Sequence, residues 1–401
     1  MNFEDTLVWL YARLPIFQRS GPAQYKVDLN NTHALCKALG NPDQGLKVVH
    51  IAGTNGKGSV SHAVAAALQT RGMKVGLYTS PHLLDPRERI RIDGAMISKA
   101  DFVSFVEGHL DIWEKLKPSF FELMFAMALV HFRDGQVDIA VLETGMGGRL
   151  DSTNIFPQPL ATAITSIGLD HQQFLGEDLR SIAGEKAGIL KEGVPCVLGV
   201  LPSVARSVLL ERSLRLSVEV HDGRPDSTPS DDPVWLARNR SVARKLLDFL
   251  PGDGASDEEV LNAGPTAWGL MGRWQWFGDD VLLDCAHNEE GLLFTGKALL
   301  ALGRPLRIVY GAVEDKDIKG ALACLPQAVD HHWCAADIPR AMPAEVLSQK
   351  AEALGRKGTA HPDVASAVRK AVQQRSSNEL VVILGSIFIA GEAITSLQDS
   401  A

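Results

Sequence analysis

The sequence lacks any run of about 18 uncharged apolar residues, the length that a membrane-spanning helix needs. It also lacks a basic leader, because the chain begins with the acidic stretch Met1-Asn2-Phe3-Glu4-Asp5, so we expect no secretory signal. Its 5 cysteines are widely spaced and form no C-x-x-C pair. Disulfide scaffolds and thiolate zinc sites are therefore not expected, and a reducing cytoplasm is the predicted location.

Positive charge is in deficit, since 40 Lys and Arg residues stand against 48 Asp and Glu residues and give a net charge of −8. This balance argues against a nucleic-acid surface, and we expect neither a nucleic-acid nor a membrane partner. The negative net charge does not exclude anionic small substrates, because local lysines, arginines, metals or helix starts can hold them. With 401 residues and 45% hydrophobic content, the chain is predicted to be globular with two domains.

The segment from His50 to Ser59 has the order that binding a nucleotide triphosphate requires. An apolar run of strand length precedes it, and a stretch rich in Ala and Val at helical spacing follows it. In such a strand–turn–helix, glycines let backbone N–H groups approach phosphates, and Lys57 supplies a point charge. The pattern G-x-x-x-x-G-K-[ST] is not met, because Ile51 stands at its first glycine and Gly58 follows the lysine. A tight turn alone would also explain the glycines.

Short apolar runs of strand length alternate with helical patterns in the first half of the chain. The clearest runs are residues 48–52, 74–79, 137–143, 161–167 and 194–200. The alternation predicts a mainly parallel sheet with helices on both faces. A small hairpin is predicted at residues 89–94, and Ser98 is predicted to cap the next helix. Residues 222–233, rich in Asp, Ser and Pro, are expected to form a mobile surface loop.

A second series of strands begins near Gly272. Its apolar runs are residues 281–285, 306–310, 332–335 and 380–384. Residues 262–265 are the best candidate for a linker. The predicted fold class is α/β, with a phosphate-loop, parallel-sheet ATP-binding domain at residues 1–264 and a smaller Rossmann-like domain at residues 265–401. We expect a ligand site between them.

Residues 137–143 form a hydrophobic strand pattern that ends in Glu143. At the carboxyl end of a sheet strand beside a phosphate loop, an acid can hold Mg²⁺ on the triphosphate, although a strand-terminal glutamate alone is more often a solvated end. His171 closes another strand-like run, and Lys186 follows after a helical stretch. Taken alone, such a histidine is usually structural and such a lysine is usually solvated.

The order G-T-N-G-K-G-S at residues 53–59 resembles the folylpolyglutamate synthase and dihydrofolate synthase family of ATP-dependent amide ligases. The related Mur ligases usually carry Thr or Ser directly after the lysine, so Gly58 favours the folate branch. Residues 143–154 resemble the family motif E-x-G-x-G-G-R-L-D-[AS]-T-N. Residues 284–288 resemble D-G-A-H-N, with Cys285 in place of the glycine.

Three further segments support the resemblance. Residues 311–317 match G-x-x-x-D-K-D, residues 385–388 match G-S-[LI]-[YF], and residues 185–189 match E-K-A-G-I. A departure occurs at Arg87 in the segment Asp85-Pro86-Arg87, because the family usually carries Asn before E-R-I. The matches extend over nearly the whole chain.

The resemblance implies particular roles. Two magnesium sites are expected, with ligands Ser59, Ser80, Glu143 and His171. ATP is expected to bind Gly53, Thr54, Asn55, Gly56, Lys57, Gly58, Ser59, Arg273, Asp284 and Asn288. The expected catalytic residues are Lys57, Lys186, Asp284 and His287. Lys186 is expected to carry a carbamate, an anion that can orient the second metal. Phe121 would stack on the pterin ring and Asp151 would belong to the folate site, although a core aromatic would give the same local pattern as Phe121.

The implied function is ATP-dependent addition of L-glutamate to dihydropteroate or to a reduced folate through an acyl phosphate, in folate biosynthesis and one-carbon metabolism. Whether the enzyme adds the first glutamate, later ones or both is open. The alternatives are a Mur-type ligase acting on a muropeptide and a nucleotide switch without ligase activity. A glutamate-dependent burst of ADP and phosphate would separate ligase from switch. We expect a monomer.

Overall fold

The computed structural model describes residues 1–14, 28–225, 233–253, 257–314 and 318–399. Within these ranges, no helix is long and apolar enough to cross a membrane. The 5 cysteines carry free thiols. Residues 226–232 of the predicted surface loop lie outside the described residues, as do Asp315, Lys316 and Asp317 of the G-x-x-x-D-K-D motif.

The chain divides into two compact units between Leu270 and Met271. The predicted linker at residues 262–265 is wrong, because these residues lie inside the helix Asp257–Ala267. Gly264 has a packing role there, since a Cβ at this position would come within 2.6 Å of the Ala66 Cβ on another helix. The glycine lets two helices approach closely and does not mark a turn.

The first unit is built on an eight-stranded sheet. Its strands are β1 Val48–Ala52, β2 Val75–Tyr78, β3 Ile90–Ile92, β4 Ala95–Met96, β5 Ile139–Glu143, β6 Ala161–Ile164, β7 Cys196–Leu198 and β8 Val220–Asp222. Its described helices are α1 Phe3–Arg13, α2 Asn30–Ala38, α3 Lys57–Thr70, α4 Lys99–Gly108, α5 Leu110–Leu116, α6 Phe120–Asp134, α7 Gln172–Leu175, α8 Leu179–Lys186, α9 Ser203–Arg215, α10 Val234–Leu247 and α11 Asp257–Ala267. Short 3₁₀ turns lie at Pro86–Arg89, Ser152–Ile155 and Ala187–Ile189.

The strand order is β4-β3-β2-β5-β1-β6-β7-β8, which places β1 between β5 and β6 inside the sheet. From β2 to β8 the neighbouring strands run parallel. At the other edge, β3 and β4 form the hairpin predicted from residues 89–94. The predicted parallel sheet is confirmed. In open sheets of this kind, ligands bind beyond the carboxyl ends of the strands.

Helix α3 is anchored by apolar side chains that pack on the sheet. Val60, Val64 and Leu68 share a buried cluster with Val49 and Ile51 of β1. Burial of each such side chain stabilises the unit by roughly 1.5–3 kcal/mol. The start of α3 is therefore fixed next to the carboxyl end of β1.

The second unit holds a six-stranded sheet of order β13-β12-β11-β14-β10-β9, parallel except for β9 against β10. Its strands are β9 Gln275–Phe277, β10 Val281–Leu283, β11 Leu306–Tyr310, β12 Asp330–Trp333, β13 Thr359–Ala360 and β14 Leu380–Leu384. Its described helices are α12 Glu289–Ala301, α13 Ile318–Cys324, α14 Ala344–Glu352, α15 Val364–Gln374 and α16 Ile387–Gln398. The unit is a second α/β domain, as predicted.

Candidate active site

The phosphate loop joins β1 to α3. Gly56 is the residue before the helix and has a left-handed φ of 87°, a conformation that favours glycine. The side chain of Asn239 on α10 lies against this glycine and would meet any Cβ there. The first N–H groups of a helix have no acceptor within it, so the start of α3 can bind an anion.

Residues that follow β6 hold the loop in place. The N–H of Asn55 donates to Ser166 Oγ at 2.8 Å, and the Asn55 carbonyl accepts from Thr165 Oγ1 at 2.6 Å. The N–H of Thr54 donates to the Ser166 carbonyl at 2.9 Å. Gly53 is buried, and a Cβ there would collide with Thr165 Oγ1. The loop is thus preorganised before any ligand arrives.

Two lysines converge on one backbone oxygen. Lys57 Nζ donates to the Gly53 carbonyl at 3.0 Å, and Lys186 Nζ donates to the same carbonyl at 2.8 Å. Lys57 is half-buried, whereas Lys186, the last residue of α8, is 3% exposed. Two ammonium groups that share one acceptor repel each other, most strongly where water is excluded.

Burial, followed by the positive charge of Lys57, lowers the pKa of Lys186 to about 7. The negative charges of Asp170 and Asp151 act in the opposite direction. An appreciable fraction of the Lys186 amine is therefore neutral near neutral pH, and a neutral lysine amine is a nucleophile.

Glu143 ends β5 beside the start of α3 and is buried. Its Oε2 accepts a hydrogen bond from the N–H of Ser80 at 3.2 Å. The same oxygen lies 3.6 Å from the place that a Cβ would take on Gly58. The structure thus brings Glu143 and Ser80 together next to Gly58, the neighbour of Ser59.

His171, the fourth predicted metal ligand, precedes α7 with a left-handed φ of 52°. Its N–H donates to Asp170 Oδ1 at 3.0 Å, and its Nε2 lies 3.9 Å from Asp170 Oδ2. The side chain is 36% exposed. The negative charge of Asp170, the neighbour of His171, also acts on Lys186 and opposes the lowering of its pKa.

Among the described residues, no three His, Cys, Asp or Glu side chains are grouped closely enough to hold a metal ion by themselves. This donor set still suits Mg²⁺ that arrives with a triphosphate. Mg²⁺ usually takes one or two protein carboxylates and completes its shell with phosphate oxygens and water. One buried carboxylate, Glu143, beside Ser80 and the start of α3 meets that requirement.

The two predicted folate residues are neighbours. A Cβ on Gly145 would lie 2.6 Å from Phe121 Cε2 and 3.1 Å from Asp151 Oδ2. Tyr78 packs edge-on against the Phe121 ring, with ring centroids 5.8 Å apart. Phe121 is half-buried. The aromatic ring, the bare backbone of Gly145 and the carboxylate therefore form one continuous patch, which we call the Phe121–Asp151 patch.

Asp151 is held by several donors. Its Oδ1 accepts from the N–H of Thr153 at 3.1 Å and from Thr153 Oγ1 at 2.6 Å, and its Oδ2 accepts from the N–H of Met146 at 2.8 Å. Burial raises the pKa of Asp151, while these hydrogen bonds favour its ionised form. The carboxylate is fixed in position by the loop that follows β5.

In the second unit, the buried Asp284 follows β10. Its two oxygens accept from the N–H groups of Trp274 at 2.8 Å and Ala286 at 2.9 Å. Burial raises the pKa of Asp284; the positive charge of Arg273, these N–H groups and His287 oppose that rise. Arg273 is exposed and His287 is half-buried. The structure thus brings Asp284, Arg273 and His287 together, as the sequence motif suggested.

The rest of this motif shapes the same edge of the second sheet. The Nδ1 of His287 lies 2.9 Å from the Cys285 carbonyl, which can only accept, so the proton is on Nδ1 and Nε2 of the neutral ring can accept. Asn288 caps α12, its Oδ1 accepting from the N–H of Gly291 at 2.9 Å.

Cys285 is buried where the family has glycine, and burial raises the pKa of its thiol to about 11. The Gly385 N–H donates to the Ala286 carbonyl at 3.0 Å, so the motif at residues 385–388 is bonded to the motif at residues 284–288.

Sequence reasoning gave no role to several polar residues that organise these loops. Asn154 Nδ2 donates to the carbonyls of Arg149 at 3.1 Å and Gly188 at 3.0 Å, which ties the loop after β5 to the turn after Lys186. Asn239 supports Gly56 from α10. Asn154 closes a family motif, but its partners are visible only in the fold, and Asn239 lies in no motif.

Arg87 stands directly before E-R-I, where the family usually has Asn, and its neighbour Asp85 has a local role. Its side chain accepts from the N–H of Arg87 at 2.9 Å and caps the 3₁₀ turn Pro86–Arg89, with Glu88 completing a capping box. Arg87 Nη2 also donates to Asp85 Oδ2 at 2.7 Å. Arg87 is therefore held by Asp85 within the turn itself.

Comparisons with known proteins agree with this geometry. The family model for the Mur ligase, glutamate ligase domain, matches residues 272–387. The dihydrofolate synthase/folylpolyglutamate synthase of Bacillus subtilis (strain 168) is 32% identical over 97% of this chain and 98% of its own length. E. coli FolC in complex with DHPP and ADP aligns with a TM-score of 0.86 and 25% identity, covering 100% of this chain and 98% of that one. A bifunctional folylpolyglutamate synthase/dihydrofolate synthase with Mn, AMPPNP and L-glutamate bound aligns with a TM-score of 0.83 and 28% identity, covering 99% and 98%.

These matches span both units and almost the full length of each relative. They confirm the predicted fold class and favour the folate branch over a muropeptide ligase or a nucleotide switch. The chain belongs to the dihydrofolate synthase/folylpolyglutamate synthase family, the folate branch of the ATP-dependent Mur ligases.

Proposed function

We propose that this protein joins L-glutamate to the carboxyl group of dihydropteroate, of a reduced folate, or of both, at the expense of ATP. The observation that carries the proposal is the convergence of Lys57 and Lys186 on the Gly53 carbonyl, beside the buried Glu143. The ligands DHPP, ADP, AMPPNP, Mn and L-glutamate in the solved relatives support the choice of substrates.

Amide formation from a carboxylate requires an activated acyl group. A carboxylate oxygen of the folate substrate attacks the γ-phosphorus of ATP, and ADP leaves, which gives an acyl phosphate. The α-amine of glutamate then attacks the acyl carbon, inorganic phosphate leaves, and the amine loses a proton. Phosphoryl transfer depends mainly on positioning and on neutralising charge.

We assign the triphosphate to the phosphate loop, residues Gly53 to Ser59. Backbone N–H groups at the start of α3 and the Lys57 ammonium would hold its oxygens. The Lys57 ammonium donates to the Gly53 and Thr54 carbonyls at 3.0 and 3.3 Å, which holds it within the loop. A preorganised cation of this kind stabilises the charge that develops during transfer.

We assign Ser59, Ser80, Glu143 and His171 to metal binding, in two sites. When bound, Mg²⁺ neutralises triphosphate charge and orients the transferred phosphoryl group. Glu143 supplies the buried carboxylate, and its hydrogen bond from Ser80 orients the Oε2 lone pairs. His171 would add a nitrogen ligand from the turn next to Asp170.

We propose that Lys186 carries a carbamate in the active enzyme. Carbamylation needs a neutral amine, which attacks the carbon of CO₂ and loses a proton. The pKa of Lys186, lowered to about 7, makes that amine available. The modification also replaces a buried cation that faces Lys57 with an anion, which removes the repulsion between the two ammonium groups.

The Phe121–Asp151 patch is our candidate for the pterin end of the substrate. A half-buried aromatic ring offers a stacking surface, and the nearby carboxylate oxygen can accept an N–H from the heterocycle. From the second unit, Arg273, Asp284, His287 and Asn288 are proposed to hold ATP and to orient glutamate. Asp284 and His287 keep the catalytic assignment predicted from the sequence. A monomer in the cytoplasm, without nucleic-acid or membrane partners, also stays a prediction.

The test is a substrate assay. The purified protein is given ATP, Mg²⁺ and L-glutamate with either dihydropteroate or tetrahydrofolate, and products are weighed by mass spectrometry. We expect a glutamate-extended product and a stoichiometric release of ADP and phosphate that both require glutamate. The two substrates, offered separately, show whether the first glutamate, later ones or both are added. ATP hydrolysis that is independent of glutamate, with no extended product, would overturn the proposal.

A further inference from the structure

His50 is a polar residue in an otherwise apolar part of the sheet. It lies in the middle of β1, pairs with Leu142 of β5 and Thr162 of β6, and is 1% exposed. Its neighbours on the same face of the strand, Val48 and Ala52, belong to apolar clusters. A buried imidazole costs free energy unless it is hydrogen-bonded, so the partner of His50 is informative.

The hydrogen bonds of His50 have a definite direction. His50 Nε2 lies 2.8 Å from Thr153 Oγ1, and the single hydroxyl proton of Thr153 is donated to Asp151 Oδ1 at 2.6 Å. Because that proton is already used, the imidazole must be the donor to Thr153. Burial lowers the pKa of His50 to about 3, so the ring is neutral and carries its one proton on Nε2.

At the other end of this chain of hydrogen bonds, the two oxygens of Asp151 face different ways. Oδ1 is used by the N–H and the hydroxyl of Thr153, while Oδ2 lies on the Gly145 side, in the Phe121–Asp151 patch. The N–H of Met146 donates to Oδ2, and the Gly145 backbone also stabilises the carboxylate from this side. A carboxylate offers about four acceptor sites, so an N–H of a ligand would add to these donors or replace the weaker one.

We propose that His50 and Thr153 are positioning residues that orient Asp151, so that its Oδ2 accepts an N–H of a planar heterocycle stacked on Phe121. The inference rests on the proposed assignment of the folate patch. The anchor is rigid because β1 is paired on both sides, whereas Asp151 lies on a loop. We call the hydrogen-bonded series His50–Thr153–Asp151 the relay. Through it, the rigid strand β1 fixes the position of a loop carboxylate that would contact the substrate.

The proposal is tested by the split between KM and kcat. His50→Leu removes the donor at similar volume, and Thr153→Val removes the hydroxyl at nearly constant shape. Each should raise KM for the pteroate or folate substrate about three- to tenfold, the effect of losing one ordinary hydrogen bond. The kcat at saturating folate and the KM for ATP should change less than about twofold by the same reasoning. His50→Gln, which can restore an N–H donor, should recover most of the loss.

Two further variants separate the outcomes. Val48→Ala opens a cavity on the same face of β1 without touching the relay, so its folate KM should stay near that of the parent protein. Asp151→Ala tests the patch itself and should raise folate KM more than either relay variant. If Asp151→Ala has no effect, the proposed folate patch fails. If Asp151→Ala raises the folate KM while His50→Leu and Thr153→Val leave it unchanged, the positioning role alone is overturned. The same conclusion follows if Val48→Ala raises the folate KM as much as the two relay variants do. Should His50→Leu fail to fold, Thr153→Val and His50→Gln still give the answer.

Discussion

The two units of this protein share an α/β architecture, but the buried charged groups Lys186 and Asp284 at their candidate sites have opposite sign. Both place their sequence motifs at the carboxyl ends of a mainly parallel sheet. In the first unit, two lysine ammonium groups meet on one backbone carbonyl, that of Gly53. In the second, a buried carboxylate, Asp284, is surrounded by backbone N–H groups and faces Arg273 and His287.

The difference indicates a division of labour. Crowded cations that rest on neutral carbonyls are only partly satisfied, so they gain most from an anion such as a triphosphate. The Asp284 carboxylate already accepts two N–H donors and faces Arg273, so it depends less on a bound ligand for its partners, and it also fixes its own loop. We therefore expect charge removal to damage catalysis more in the first unit than in the second.

The largest effect is expected from Lys57→Ala. The loop lysine neutralises phosphate charge chiefly as that charge rearranges, so kcat/KM should fall about 10²-fold or more while the fold is retained. Steady-state kinetics together with circular dichroism check this. Lys74→Ala, which removes an exposed lysine of the same unit, is the matched control and should behave as the parent protein. Near-normal kinetics in a folded Lys57→Ala protein would remove the phosphate-loop assignment.

Lys186→Ala is expected to lose a comparable share of activity, on the order of 10²-fold, because an anion that orients a metal is missing. Short carboxylates such as formate or acetate should restore part of it by filling the vacated space. Labelled CO₂ should be incorporated at Lys186, increasingly so as pH rises through about 7, where the amine loses its proton. Lys191→Ala serves as the control. A fully active Lys186→Ala enzyme, or unlabelled Lys186 in active protein, would contradict the carbamate.

In the second unit, Asp284→Asn should have a smaller effect, a loss of about tenfold in kcat/KM, since one of two charge-assisted hydrogen bonds is lost. An amide offers only one acceptor oxygen to the N–H groups of Trp274 and Ala286. Asp280→Asn is a suitable control, because this acid pairs with Arg304 and Arg375. It should lower thermal stability without changing kinetics. Equal losses for Asp284→Asn and Lys57→Ala would break the proposed division of labour.

The smallest effect concerns acid stability of the second unit. His332 is buried, its Nδ1 lies 2.9 Å from His361 Nε2, and burial lowers the pKa of His332 to about 4. Between pH about 6.5 and about 4, the unfolded chain binds a proton that folded His332 does not, so stability falls as pH falls through this window. His332→Gln should flatten that fall by a few degrees in Tm. Replacing the exposed His33 with Gln should leave it unaltered.

Local signals in the sequence were sufficient for much of the fold. The strand, glycine loop and helix at residues 48–70 follow from a short motif, and Glu143 ends its strand as the apolar run predicts. Strand ends were predicted too long: residues 194–200, for example, are only Cys196–Leu198 in the structure. The Pro195 carbonyl and the Gly199 N–H still bond to β6, so the hydrogen bonding extends one residue beyond each end of this strand.

What the sequence could not provide was contact between distant segments. Gly264 and Pro265 resemble a turn signal but lie in α11, because close packing of Gly264 on Ala66 outweighs local propensity. His50 and Thr153 are 103 positions apart and meet only because β1 is adjacent to the loop after β5. The low pKa of Lys186 likewise depends on burial and on Lys57, neither of which spacing reveals.

The central claim is that ATP activates the folate carboxylate as an acyl phosphate before glutamate attacks. The most direct measurement uses substrate whose carboxylate is labelled with heavy oxygen, with mass analysis of the phosphate released. If the acyl phosphate forms, the phosphate carries one heavy oxygen per turnover, because the carbon–oxygen bond of the substrate breaks when the amine displaces phosphate. Phosphate that contains only light oxygen, with normal formation of the glutamate-extended product, would contradict the account.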